Sequence, residues 1–216
     1  MSAVRLIALG DACVAAQFSE TIDESVNKRC IAVAEALEQR RIPGVLDVLP
    51  TYNAVTVYFD PLKIDRPSLD VEIHGLVDSV AQPSNAIPRI VEIPVSYGEA
   101  AGPDLQAVAE FAGASPAEVV RLHTSRTYRV YMLGFLPGFA YLGTVDARIA
   151  MPRLETPRMR VTAGSVGIAG AQTGIYPCDT PGGWRIIGRT LQKMFDPSAS
   201  EPCLLKAGDS VRFLAV

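Results

Sequence analysis

The sequence is poor in the residues on which most active sites depend. It has two histidines, one tryptophan and four cysteines in 216 residues. With only His74 and His123, no zinc-type cluster can be assembled. Cys13, Cys30, Cys178 and Cys203 show no C-x-x-C spacing, so they read as reduced, structural thiols of a cytoplasmic protein. There is no G-x-x-x-x-G-K-[ST] loop and no G-x-G-x-x-G at a strand-to-helix junction, which excludes the usual phosphate cradles. G-x-S-x-G and H-E-x-x-H are missing as well, and no nucleophile–base set is legible. Long apolar runs are also lacking. Val161 to Cys178 is uncharged, but its four glycines with Thr, Ser and Gln make it a poor membrane span and a good set of short strands. VRLIAL is too short, and too poor in preceding basic residues, for a signal peptide. The net charge of −3 argues against a general nucleic-acid binder. What remains is 49% hydrophobic and 20% charged, enough for a real core in one large domain or two small ones.

Two regions differ in pattern. In residues 1–85, Val4–Leu9 and Cys13–Phe18 read as strands around a Gly10-Asp11 turn. Thr21 and Glu24 form a T-x-x-E capping box. After it, Ile22, Val26, Cys30, Val33 and Leu37 recur at helical spacing. Gly44–Leu49 and Val55–Phe59 pair as strands, and a second helix is expected near Ser68–Val80. This order suggests a ferredoxin-like sandwich of sheet and helices. Ala81–Pro88 is the expected linker. In residues 86–216, Arg89–Ser96 reads as a strand and Asp104–Ala112 as a helix. Ser115, Pro116 and Glu118 mark the start of a further helix, expected to end near His123. From Thr127 onward the chain is strands and turns.

The chemistry concentrates between Met132 and Thr190. This segment of 59 residues holds ten of the 17 glycines, the only tryptophan and six arginines, but no lysine. It carries six positive against three negative charges, whereas the rest carries fourteen against twenty. Arginine in place of lysine suits planar, bidentate recognition of carboxylate or phosphate, or stacking. An anion site is expected here. Gly134 and Gly138 flank Pro137 in a loop whose amides could face an anion, or which could be a plain barrel corner. Arg153, Arg158 and Arg160 surround Pro152 and Pro157, and Arg158 and Arg160 should point the same way along a strand. Gln172, Thr173 and Gly174 offer an amide, a hydroxyl and an open backbone; Gly182, Gly183 and Trp184 offer a close-approach turn and an aromatic platform. Trp184 reads equally as core or as ligand wall. His123 sits at a helix C-terminus, where the dipole favours imidazolium. It reads either as a proton carrier or carboxylate binder, or as a C-cap.

The order of these residues carries more than their composition. GFLPGFAYLG, then PR(x)3PRxRVxAGSVxIAG, then QTGIYPxxxPGGWxxIGRT resembles the allophanate hydrolase subunit 1 family. That family includes the B subunit of the bacterial ATP-dependent 5-oxoprolinase and the sporulation kinase inhibitor KipI. Gly10-Asp11, GVLDVLPTYNAVTVYFDP and HTSRTYRVYMLGF extend the resemblance over nearly the whole chain. It implies an α+β protein whose second domain is a cyclophilin-like β-barrel. It implies ATP-driven opening of 5-oxoproline to glutamate, with ATP as a substrate in its Mg complex. The implied partners are the enzyme's C component, which is allophanate hydrolase subunit 2-like, and its A component, of LamB/YcsF type. The implied catalytic residues are His123, Tyr128 and Arg158. The implied substrate and phosphate contacts are Gly134, Gly138, Arg153, Arg160, Gln172, Thr173, Gly174, Gly182, Gly183 and Trp184. A KipI-like inhibitor of a histidine kinase and an allophanate- or urea-linked amide hydrolase remain alternatives. The crowding of Phe135, Leu136, Phe139, Tyr141 and Leu142 in eight residues leads to the expectation of a second β-rich partner chain, because strand alternation buries only about half of such a run.

Overall fold

Alternation of apolar residues and well-placed caps set the elements of the first region. The computed structural model describes residues 4–80 and 88–216. Its contacts divide the chain into two units, Met1–Ile87 and Pro88–Val216. The expected linker Ala81–Pro88 falls, but for Pro88, outside the described residues.

The first unit runs β1 (Arg5–Ala8), β2 (Cys13–Gln17), α1 (Glu24–Arg40), β3 (Val45–Pro50), β4 (Ala54–Phe59) and α2 (Arg66–Ser79). Its sheet is antiparallel in the order β1-β2-β4-β3, so α1 carries the chain from β2 to β3 past the intervening β4. Cys30, Val33, Ala34 and Leu37 of α1 and Leu69, Ile73 and Val77 of α2 bury against Val14, Ala16, Val55 and Val57 of the sheet. Each such aliphatic side chain contributes about 1.5–3 kcal/mol on full burial. The helix start differs from expectation. Asp23, not Thr21, caps α1, its Oδ1 accepting from the amides of Ser25 (2.8 Å) and Val26 (3.1 Å). A carboxylate at this position satisfies two orphan amides and complements the dipole, so it displaces the hydroxyl two residues earlier. Ile22 therefore precedes the helix and is exposed rather than on its apolar face.

The second unit contains β5 (Ile90–Tyr97), α3 (Leu105–Ala112), α4 (Pro116–Thr124), β6 (Thr127–Leu133) and β7 (Ala140–Gly143). There follow β8 (Arg158–Val161), β9 (Ser165–Ala169), β10 (Gln172–Ile175), β11 (Thr180–Gly182), β12 (Arg185–Arg189) and β13 (Ser210–Ala215). Seven strands close a barrel in the order β10-β7-β6-β13-β5-β12-β9, with β9 pairing back to β10. All its pairs are antiparallel except β5 with β13, which makes the barrel mixed. Closure leaves no exposed edge. β8 and β11 form a separate two-stranded ribbon. The protein is thus α+β with a closed barrel. Ile93, Val95, Val130, Leu142, Val166, Ile168 and Phe213 make its core, joined by Val108 of α3 and Leu122 of α4. Ser115 caps α4 as expected, its Oγ accepting from the Glu118 amide at 3.2 Å. Glu118 itself turns to Arg121 instead of closing the capping box.

Candidate functional site

An aromatic pocket is built on glycine. Phe139, Tyr176 and Trp184 are buried together in a cluster distinct from the barrel core, with Tyr141 packed against it. Phe139 meets Tyr141, Tyr176 and Trp184 edge-on, with ring centroids 4.9–5.4 Å apart, the arrangement ring quadrupoles favour. Two glycines make the room. A Cβ on Gly174 would lie 3.0 Å from both the Ala140 carbonyl and the Trp184 ring, and one on Gly182 would overlap the Tyr176 hydroxyl. The pocket is about 310 Å³ and is lined by Phe139, Tyr141, Tyr176, Trp184, Arg153 and the Gly182-Gly183 turn. Phe135 stands at this pocket too, 61% exposed and at φ 69°, a conformation disfavoured for a bulky residue.

Arg153 is the charged group of the pocket. Its guanidinium lies 6.0 Å from the Trp184 ring centroid, a cation–π contact. Among the described residues it makes no ion pair. The other arginines of the segment are held. Arg158 Nη2 donates to Asp104 Oδ1 at 2.6 Å, while Asp104 Oδ2 accepts from the Ile186 amide at 2.6 Å. Arg160 donates twice to Asp179 Oδ2. Arg185 donates to the Pro152 carbonyl and Arg189 to that of Ala163. Arg158 and Arg160 do share a face, but it is that of a second pocket rather than the aromatic one.

His123 lies elsewhere, fully buried in the barrel. Its Nδ1 is 2.8 Å from the Tyr97 hydroxyl and its Nε2 is 2.9 Å from Thr173 Oγ1. Thr173 Oγ1 is also 2.9 Å from the Gly167 carbonyl, which can only accept, so the threonine's one proton goes there. The threonine oxygen must then accept from His123 Nε2–H, and Nδ1 must accept from Tyr97 O–H. This fixes a neutral Nε2–H tautomer. Burial pushes the imidazole down to about 3, and Phe213 stacks on it at 4.5 Å. The imidazolium expected at a helix C-terminus is therefore not formed: desolvation outweighs the dipole. Tyr128 is equally enclosed, donating to the His123 carbonyl at 2.8 Å, and burial raises its phenol. Tyr97 completes this cluster, a residue sequence reading passed over; nothing in the sequence pairs positions 26 residues apart.

The remaining expected residues divide as follows. Gly134 and Gly138 lie in a loop whose amides are largely used internally: Gly134 N–H donates to the Phe139 carbonyl, Leu136 to Gly134, and Phe139 to Leu136. The loop is a tight barrel corner. Thr173 joins the His123 chain, Gly174 floors the aromatic pocket, and Gln172 begins β10. Gly182, Gly183, Trp184 and Arg153 come together at the aromatic pocket. Of the crowded apolar run only Phe135 is exposed. The fold itself covers Phe139 and Leu142 and half-covers Leu136 and Tyr141, because part of the run is a loop and not a strand. Among the described residues no three His, Cys, Asp or Glu come together as a metal ion would need. No described helix is long and apolar enough to cross a membrane.

Residues 4–205 match the family model for the carboxyltransferase domain, subdomain C and D. The chain is 43% identical to the B subunit of 5-oxoprolinase from Bacillus subtilis over 96% of its length and 91% of the relative's. It is 40% identical to the protein of the same name from Escherichia coli O157:H7, over 99% and 97% of the two chains. The crystal structure of TTHA0988 superposes with a TM-score of 0.85 at 42% identity, over 94% of this chain and 40% of that longer one. The same residues that close the barrel and line the aromatic pocket thus lie within a shared, nearly full-length likeness, and the chain belongs to the family of 5-oxoprolinase B subunits, built on carboxyltransferase subdomains C and D.

Proposed function

We propose that this chain is the B subunit of an ATP-dependent 5-oxoprolinase, and that its aromatic pocket receives 5-oxoproline. The observation that carries the reading is an Arg153 guanidinium over an aromatic wall, with no ion-pair partner among the described residues. 5-Oxoproline is a small ring bearing one carboxylate. Its carboxylate suits a bidentate arginine, and its ring suits the faces of Trp184 and Tyr176. A free arginine held by stacking needs less ordering on binding than one that must first leave an ion pair. The lactam amide is unreactive until its oxygen is phosphorylated by ATP. Water then adds to the ring carbon, the C–N bond breaks to free the amine and leave an acyl phosphate, and a second water cleaves that acyl phosphate to glutamate and phosphate. ATP, as its Mg complex, enters as a substrate. With no nucleophile–base pair in this pocket, the chain works with an allophanate hydrolase subunit 2-like C component and a LamB/YcsF-type A component, in the cytoplasm.

The architecture fits the same reading. The β1-β2-β4-β3 order, with a helix crossing over β4, supports a ferredoxin-like sandwich for residues 1–85. The seven-stranded closed barrel supports a cyclophilin-like domain for 86–216. In this scheme His123 and Tyr128 position β10 and α4 instead of handling substrate. The test is ADP release dependent on both ATP and 5-oxoproline, with the candidate A and C components added singly and together. Activity only in the full set is expected. No activity in the full set, or full activity from this chain alone, overturns the reading.

A further inference from the structure

We propose that Arg158, Arg160 and Arg189 form a phosphoryl-binding pocket, separate from the aromatic one, that takes the phosphate end of a nucleotide. Together they line a cavity of about 230 Å³, whose other walls include Pro103, Thr162, Ser165 and Ile186. No carboxylate is among its lining residues, and three arginines share one small space.

These arginines are braced from behind. Buried Asp104 holds Arg158 while its second oxygen is fixed by the Ile186 amide. Asp179 takes Nε and Nη2 of Arg160 through Oδ2, at 2.9 and 2.6 Å. Its Oδ1 accepts from the Ala163 amide at 2.8 Å, and the Ala163 carbonyl accepts from Arg189 Nε at 3.0 Å. Ala163 therefore anchors both Arg160 and Arg189. Nη1 of Arg160 and both Nη atoms of Arg189 keep donors with no partner among the described residues. Two carboxylates and the Ala163 carbonyl thus hold the three cations from outside the lining, so less side-chain entropy is lost when an oxyanion enters. Planar guanidinium groups then offer paired donors to phosphate oxygens. The volume lies below the roughly 300–1,000 Å³ of pockets that enclose a drug-sized ligand, so it matches a phosphate end, with the rest of a nucleotide lying outside it. The glycine-loop cradle that the sequence lacks is here replaced by side-chain donors.

The inference rests on the oxoprolinase reading only for the source of the phosphoryl group. Calorimetric titration of the full chain with pyrophosphate, at low and at physiological salt, tests the pocket without turnover. Pyrophosphate is expected to bind, more weakly as salt rises. Arg189→Ala should weaken binding at least tenfold, and Arg160→Ala should weaken it too. Arg212→Ala, which removes a surface arginine on β13, should not. Arg189→Lys keeps the charge but loses the planar fork, so weakened binding there secures the result if the alanine variant folds poorly. No binding tighter than about 1 mM, equal binding of the dicarboxylate glutarate, or an equal loss in Arg212→Ala overturns the pocket. Pyrophosphate binding without ATP-dependent activity in the assembled enzyme would instead fail the oxoprolinase reading.

Discussion

The barrel interior and the aromatic pocket hold similar side chains in opposite states. Inside, Tyr97, His123 and Thr173 form a chain in which each proton has one destination and Gly167 ends it. At the pocket, Arg153 stands over Trp184 and makes no ion pair among the described residues. A sealed and satisfied polar group fixes geometry, because moving it would strand a partner in low dielectric. An exposed and unsatisfied cation is available to a ligand. Residue type alone does not separate these roles: the histidine is the sealed group and the arginine the open one.

Breaking the sealed side should have the largest effect. His123→Ala leaves a cavity and removes the acceptor of the half-buried Tyr97 hydroxyl, so it should cost about 2–5 kcal/mol of stability. His123→Gln, which keeps part of the hydrogen bonding, should cost about 1–3 kcal/mol. Urea unfolding of both variants measures this, and wild-type stability in His123→Ala would remove the contrast.

The open side should respond in binding rather than in stability. Arg153→Ala should lower kcat/KM of the assembled enzyme by about 10–100-fold, the loss of one charge-assisted hydrogen-bonded contact of about 1.5–3 kcal/mol. Its unfolding free energy should stay within about 0.5 kcal/mol of wild type. Trp184 is the chain's only tryptophan, so its fluorescence reports pocket occupancy directly. Titration with 5-oxoproline should change the emission in wild type and not in Arg153→Ala. An unchanged titration in the variant would place the carboxylate elsewhere.

Arg158 sharpens the comparison because it belongs partly to each side. Its sequence position directly after Pro157 suggests a stiffened, functional arginine whose removal leaves stability intact. The ion pair with buried Asp104 changes that expectation. Arg158→Ala should destabilise by about 1–3 kcal/mol, since a buried carboxylate keeps only its bond from Ile186 N–H. The double variant Arg158→Ala/Asp104→Asn should recover part of this loss in thermal unfolding, and an additive loss would mean the pair is not coupled.

The smallest effect is that of mild acid. His123 binds protons less readily folded than unfolded, its folded value being about 3 against an ordinary 6.5. Its neutral form therefore favours the fold fully above about pH 6.5, and that contribution declines as pH falls towards 3. The slope from this one group is at most about 1.4 kcal/mol per pH unit. Unfolding curves at pH 7 and pH 5.5 should show the decline in wild type and a smaller one in His123→Gln. Equal pH dependence in the two proteins would assign the acid sensitivity to other groups.

Local physics was sufficient for much of the architecture. Apolar spacing located α1 and α3, because a helix face must be contiguous to be buried. Ser115 and Pro116 placed the start of α4, and glycine-rich alternation announced the short strands after Thr127, since these depend on near neighbours alone. The same motifs marked Gly182, Gly183 and Trp184 as a turn with an aromatic platform, and left open whether Trp184 was core or wall. Closure into a barrel was different, because β5 pairs with β13 some 120 positions away and no local rule fixes such a register. Tertiary structure alone decided that His123 faces inward to Thr173, 50 residues on, and loses its charge. It also decided that Arg158 meets Asp104 across 54 residues while Arg153 pairs with no carboxylate among the described residues. Charge state and availability depend on what lies within a few ångströms, and only the folded chain determines that.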